Sequence, residues 1–455
     1  MGVGQSCQNL QLTPNGICNI GYCTRELRGK PATTASPTDV WLVCLQDGTK
    51  YGDLTPTNNQ LVLKVFVDPA SNLPMGLGSG SQEMVYESSI YEHVIGPMFE
   101  YKINPHFTQF YGRALGCSFR QIRGILEGHA RYNYQTPMTG IQANDALIRN
   151  TWYFANRVPK RPSIEDPPIM EGQPFIVYDW NGPLNLLYRM NEHRHSILYG
   201  MIGTAVSSGV TLGDWFPQHV LPSGEFDHHA WVVITQIISG LTALAPFKCA
   251  HNDMHSGNIF IDTLPGGPTV RTYVFFDEKQ QVEKSYQTQS NLNAAIYDWD
   301  RSYVEQLGNN PFIVANPSFC PDYTECNEYI PQRDLTKFFV YLLQQQINNG
   351  IRDILLTLLF SPNDAQARTH FETHVLSGPN PPYLIDNVTK QTMDTNALSH
   401  IRHPSRVLNN IIHTLNGGNP YISTMQDTSA VDFTNADTWN FSAPRVLSVL
   451  SGGSG

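Results

Sequence analysis

The chain has 455 residues, of which 15% are charged, and a net charge of −10. That length allows a substantial core in one large or two ordinary domains, and the acidic balance excludes a general electrostatic pull toward DNA or RNA. A charged fraction well below the roughly 25% of an average soluble protein leaves the polar surface to Asn, Gln, Ser and Thr, which suits a protein packed into a larger assembly.

The chain opens Met-Gly-Val-Gly-Gln-Ser-Cys. Gly2 followed by Ser6 fits N-myristoylation, and Cys7 beside them is placed for palmitoylation. Two acyl chains would hold a membrane stably where one does so marginally; the alternative is an unmodified start. No charged segment followed by an apolar one marks a secretory signal, so the sequons at Asn387 and Asn440 carry no weight. No run of about 18 apolar residues is present, so no transmembrane helix is expected. The eight cysteines include no Cys-x-x-Cys pair, which argues against a zinc module. They are expected to be reduced, with a Cys320–Cys326 pair as the alternative. A local basic patch is conceivable near Arg157, Lys160 and Arg161, but no nucleic-acid partner is expected.

Residues 28–39 read as a loop, Val40 to Leu45 as a strand, Asp47-Gly48 as a turn, and Leu61 to Val67 as a second strand. Lys64 is a single cation inside seven residues that otherwise look buried, and a buried lysine needs an anionic partner; a lysine reaching water at a strand edge is the alternative. The turn Gly76-Leu77-Gly78-Ser79-Gly80 leads into a helix starting near Ser81, with Ser79 and Gln82 at capping-box spacing. Glu87, Ile90, Tyr91 and Val94 fall on one helical face, so Glu87 points inward and pairs with Lys64 in this reading. Residues 102–112 read as a loop entering a strand, about 117–196 as an insertion of unassigned role, Leu198 to Val206 as a strand, and Ser207–Gly209 as a hinge.

From Trp231 the spacing of Ile234, Ile237, Ile238, Leu241 and Leu244 predicts a core helix that Pro246 ends. The polar loop His251-Asn252-Asp253-Met254-His255-Ser256-Gly257-Asn258 follows, then a short strand, Ile259 to Ile261. Asp253 and Asn258, five residues apart, suit a site in which a carboxylate orients a hydroxyl and an amide oxygen holds magnesium. His251 and His255 also have metal-ligand spacing, but the intervening residue is Asp253 rather than Glu, and Gly257 favours a loop over the helix a zinc hydrolase uses. Thr272 to Phe276 reads as a further strand, Asp298 and Asp300 follow an apolar segment, and Asp334 opens a helix from Leu335 to Gln345. Beyond about 395 the chain reads as a loosely packed polar tail.

In order and context, Lys64, Glu87, Asp253, Asn258 and Asp298 resemble the protein-kinase-like family over roughly residues 36–116 and 197–350. The resemblance implies an α+β, two-lobed fold: a segment 1–35 that carries the acylation pattern, a small β-rich N-lobe over 36–206 with the 117–196 insertion, a mainly helical C-lobe over 207–394, and a tail over 395–455. It implies ATP and magnesium as cofactors. Lys64 would hold nucleotide phosphates, Glu87 would orient Lys64, Asp253 would be the catalytic-loop base, and Asn258 and Asp298 would hold metal. Asp334 resembles the aspartate that anchors the long central C-lobe helix.

The pattern also departs from the family. No Gly-x-Gly-x-x-Gly precedes Val40, Asn252 replaces the arginine of His-Arg-Asp, Trp299-Asp300 replaces Phe-Gly, and no Ala-Pro-Glu follows. His255 stands where serine/threonine kinases carry a lysine, so His-x-Asp-x-His-x-x-Asn is similar to the loop of aminoglycoside and choline phosphotransferases. His-Asn-Asp-Met-His-Ser-Gly-Asn with Tyr-Asp-Trp-Asp-Arg looks most like divergent kinase-like proteins of large double-stranded DNA viruses. The expected function is an ATP-dependent protein serine/threonine kinase of a viral particle, in the virion or host cytoplasm, acting on protein substrates or capsid proteins and held at a membrane if Gly2 is acylated. An inactive pseudokinase serving as a virion scaffold and a small-molecule kinase are the alternatives.

Overall fold

The computed structural model of the protein describes residues 20–21, 38–45, 60–68, 80–117, 198–204, 209–277, 282–315, 325–376, 398–416, 418–425, 428 and 431–451. Gly2, Ser6, Cys7, the Gly76–Ser79 turn and nearly all of the 117–196 insertion lie outside them. The chain is α+β, with small, mostly antiparallel sheets, and divides into two units. The first comprises Met1–Ser88, Gln109–Val206 and Val314–Asn316; the second comprises Ser89–Thr108, Ser207–Ile313 and Pro317–Gly455. The division falls between Val206 and Ser207, and Ser89–Thr108 belongs with the second unit.

The first unit carries a five-stranded antiparallel sheet. Its strands are β1 (Ile20–Gly21), β2 (Thr38–Leu45), β3 (Gln60–Asp68), β4 (Phe110–Cys117) and β5 (Leu198–Thr204), in the order β1-β2-β3-β5-β4. Lys64 lies mid-way along the central strand, opposite Val40 on one side and Ile202 on the other. Its backbone is therefore held by ladders on both sides. Helix α1 (Gly80–Ile90) follows, and the division between the units passes through it, after Ser88.

The second unit is built on helix α2 (His228–Leu244). Asp227 caps it, its Oδ1 accepting from the Ala230 N–H at 2.8 Å, which satisfies one of the helix's orphan donors. Pro246 ends the α-helical pattern in a short 3-10 turn, Ala245–Phe247, and Lys248 takes the left-handed conformation that turns the chain back. Every residue from Ala230 to Leu244 is buried, so the helix is enclosed on all sides rather than along one stripe. Its polar members are satisfied internally. Thr235 and Thr242 donate to the carbonyls four residues back, and Gln236 bonds the backbone of Leu292 and Ala294. This is the one helix among the described residues long and apolar enough to cross a membrane, and it lies inside the unit.

Strand β6 (Val210–Thr211) precedes α2 and β7 to β12 follow it, the seven falling in three sheets. Strands β7 (Cys249–Ala250) and β12 (Tyr303–Val304) pair with each other. Strands β8 (Ile259–Thr263) and β11 (Leu292–Ile296) join β6 in the order β11-β8-β6. At the β6 end Gly209 is required, because a Cβ there would sit 1.8 Å from the Ile261 carbonyl oxygen. Strands β9 (Thr269–Asp277) and β10 (Val282–Ser290) form a hairpin, extended by β13 (Ile422–Met425) and, in parallel with β9, by β14 (Thr438–Asn440). Helices α3 (Pro331–Leu343), α4 (Asn349–Leu359) and α5 (Pro404–Leu415) pack against one another, and α3 and α5 pack on α2; α6 (Ala443–Leu450) closes the described chain.

Two expectations are corrected. The segment beyond 395 is no loose tail: α5 buries Val407, Leu408, Ile411 and Ile412, and β13 and β14 complete a sheet. Four such side chains at helical spacing contribute about 1.5–3 kcal/mol each through burial. Ser405, Asn419, Thr438 and Ser442 of this segment are buried as well. Cys326, expected to be reduced, is disulfide-bonded, while Cys249 is a free buried thiol.

Candidate functional site

The pair read from the first unit is present. Lys64 Nζ lies 2.9 Å from Glu87 Oε2 and donates to Oε1 at 3.1 Å, with side-chain exposures of 12% and 3%. A lysine this far out of solvent needs an anionic partner, and the charge is met by the Glu87 carboxylate from α1.

In the second unit the loop after β7 is tied to α3 through one carboxylate. Asp334, buried on the first turn of α3, accepts from the His251 N–H at 2.6 Å and from the Asn252 N–H at 2.7 Å, one bond to each oxygen. Burial pushes its carboxyl above the usual range; His251, the two N–H bonds and Lys337 draw it back. Asn252 adopts φ 63°, a conformation asparagine tolerates better than most residues. All its polar groups are engaged: Nδ2 donates to the carbonyls of Arg301 and Cys326, Oδ1 accepts from Arg333, and its carbonyl accepts from Lys337. Position 252 thus fastens the loop to the segment after Asp298 through the Arg301 carbonyl.

Asp253 follows, buried at 8% exposure. Its Oδ1 is 3.2 Å from Arg301 Nη1, and its Oδ2 accepts from Asn258 Nδ2 at 3.3 Å. Asn258 Nδ2 also donates to the Asp253 carbonyl at 3.1 Å. Both partners accept hydrogen bonds, which fixes the amide orientation and leaves Oδ1 as the atom able to ligate a hard cation. Asp298 is brought to the same place by pairing. Ile296 on β11 lies opposite Ile259 on β8, and the Tyr297 N–H then donates to the Asn258 carbonyl at 3.2 Å. Asp298 comes next, at φ 68°, a conformation uncommon outside glycine that is held here by the tied segments on either side. Trp299 is fully buried against His251 and Phe107, with ring centroids 4.7 and 5.9 Å away.

The two histidines do not form a metal pair. The Asp253 N–H donates to His251 Nδ1, so the neutral ring carries its hydrogen on Nε2, which donates to the Tyr297 carbonyl at 2.9 Å. His255 Nδ1 accepts from the Gly257 N–H at 3.0 Å, leaving Nε2 toward Asp253 Oδ2 at 3.6 Å. Its ring is half-exposed, and burial of the remainder lowers its affinity for a proton, with Asp253 opposing. Among the described residues no group of three His, Cys, Asp or Glu side chains is placed to hold a metal.

The structure therefore brings Lys64 to Glu87, and separately brings Asp253, Asn258 and the Asp298 backbone together. Gly2 and Cys7 lie outside the described residues. Three cations around the loop carried no role in the sequence reading: Arg301, Arg333 and Lys337. Lys337 had a signal, since it lies one turn after Asp334 on the same helix. Arg301 had none, because its approach to Asp253 follows from the pairing of β7 with β12. No family model matches the chain, and neither does any curated protein.

Proposed function

We propose that the protein is an ATP- and magnesium-dependent phosphotransferase with a two-lobed, protein-kinase-like fold, acting on serine or threonine hydroxyls of protein in a viral particle. The observation that carries this reading is the Asp253–Asn258 arrangement. A carboxylate sits beside an amide whose one uncommitted atom is an oxygen, and a second carboxylate follows on the paired strand.

The donors fit magnesium, which takes oxygen ligands and is commonly held by one or two protein groups together with substrate phosphates. Asn258 and Asp298 would hold it, and bound there it would neutralise charge on the phosphates. Lys64, kept in place by Glu87, would hold the α- and β-phosphates. Asp253 would orient the acceptor hydroxyl and take its proton, while Asp334 keeps the loop in register by holding two successive N–H groups. The virion setting and the protein acceptor rest on the resemblance of His251–Asn258 and Tyr297–Arg301 to the viral proteins, together with the low charge content.

Asp253→Asn tests the reading. Transfer from Mg-ATP is expected to fall by at least about 10²-fold while nucleotide still binds; unchanged transfer removes Asp253 from the mechanism. A second reading, a scaffold that keeps the fold without turnover, is favoured by one observation: both Asp253 oxygens are already engaged, one by Arg301 and one by Asn258. Calorimetric titration with Mg-ATP separates the two, since a scaffold is expected to show no binding at millimolar nucleotide.

A further inference from the structure

We infer that Arg301 supplies the fixed positive charge beside the transferred phosphoryl group, a task that the histidine at position 255 leaves open. The inference rests on the phosphotransferase reading. A phosphoryl group in flight spreads negative charge over three equatorial oxygens, and catalysis consists largely of positioning and of meeting that charge. A cation next to the hydroxyl-orienting carboxylate would add to the charge that magnesium and Lys64 supply.

His255 is poorly suited to provide it. Its Nδ1 is committed as an acceptor to the Gly257 N–H, and its Nε2 faces Asp253 Oδ2 at 3.6 Å. Arg333 is buried at 2% exposure, with Nη1 directed to Asn252 Oδ1 and to Cys326 Sγ. Lys337 is committed to the Asn252 carbonyl. Arg301 is held beside Asp253 itself. Its guanidinium reaches Asp253 Oδ1 at 3.2 Å while a quarter of its side chain meets solvent, and its carbonyl is tied to the loop by Asn252 Nδ2 at 3.1 Å. Guanidinium stays charged at any working pH and presents several donors in a plane, which matches phosphoryl oxygens.

The step balances. The acceptor oxygen bonds to the γ-phosphorus of ATP, the bond from that phosphorus to the bridging oxygen breaks, and its electron pair leaves on ADP. The hydroxyl proton passes to Asp253. As the carboxylate is neutralised its hold on Arg301 weakens, and the guanidinium turns to the phosphoryl oxygens beside it.

Arg301→Gln, Arg301→Lys and Arg301→Gln with His255→Lys, made in the full chain, test this by transfer from Mg-ATP to dephosphorylated casein and to the protein itself. Glutamine still donates a hydrogen bond to Asp253 but carries no charge, whereas lysine keeps the charge. The expected kcat is about 10²–10³-fold lower for Arg301→Gln, much less reduced for Arg301→Lys, and raised at least about tenfold over Arg301→Gln when His255→Lys is added. The dissociation constant for Mg-ADP is expected to stay within about twofold throughout, since ADP lacks the transferred group. Glutamine equalling or exceeding lysine, or no recovery from His255→Lys, overturns the inference and leaves Arg301 a positioning residue for Asp253. A wild-type chain that transfers to neither acceptor overturns the phosphotransferase reading, and the inference with it. Transfer that is lost in Asp253→Asn but kept in Arg301→Gln overturns the inference alone.

Discussion

Lys64 and His106 show how burial turns single residues into constraints. Lys64 is one charge in an apolar strand, and Glu87 meets it with both side chains nearly out of solvent. Removing either partner strands the other, so Glu87→Ala is expected to cost about 3–5 kcal/mol. Lys64→Met with Glu87→Leu is expected to cost less than either single change, as measured by denaturant unfolding. His106 carries a different liability. Its Nδ1 donates to the Ala294 carbonyl and its Nε2 accepts from the Tyr273 hydroxyl, so both nitrogens are used in the neutral form. Burial, with Arg271 adding to it, holds its proton affinity well below the ordinary value. The folded state therefore binds fewer protons than the unfolded one. Stability from this residue is complete above the unfolded value of about 6.5 and falls as pH drops below it, by up to about 1.4 kcal/mol per pH unit. Urea unfolding from neutral pH down to mildly acid pH is expected to show that slope in the wild type and a shallower one in His106→Gln.

At the scale of elements, the loop between β7 and β8 has little regular structure and owes its shape to α3. Asp334 accepts from two successive N–H groups of the loop, and Asn252 ties the same turn to the segment after Asp298. Asp334→Ala leaves two buried donors unmet at roughly 1–3 kcal/mol each. The expected outcome is a loss of about 3 kcal/mol and faster amide exchange at His251 and Asn252; unchanged exchange at those two amides would show that the loop holds itself. Helix α2 was legible in the sequence because its apolar residues recur at helical spacing and Pro246 stops it. That it is buried on every face was not, since Thr235, Gln236, Ser239 and Thr242 look like a solvated side until their partners are known. Strand β10 was missed altogether. Val-Glu-Lys-Ser-Tyr-Gln-Thr-Gln-Ser carries a weak apolar signal, and its strand character comes from pairing with β9 and β13.

For the whole molecule, the largest change concerns the segment beyond residue 395. A chain ending near residue 395 lacks α5, β13 and β14, and so uncovers part of α2 and leaves β9 and β10 without their outer neighbours. Deletion of residues 398–455 is expected to abolish cooperative unfolding of the second unit, as followed by circular dichroism, with rapid proteolysis within α2. Survival of a cooperative transition would make the segment an accessory.

The sequence by itself determined the order of the polar positions, Lys64, Glu87, Asp253, Asn258 and Asp298, and the helix and strands that carry them. Those follow from local periodicity, turn residues and the improbability of isolated charges in apolar runs. The tertiary structure decided what meets what. Arg301 reaches Asp253 because β12 pairs with β7, and Asn258 turns its amide oxygen outward because Asp253 takes its nitrogen. The C-terminal segment is core because α5 finds α2. The first and the last of these depend on contacts between residues far apart in the chain, and no local pattern encodes such a contact.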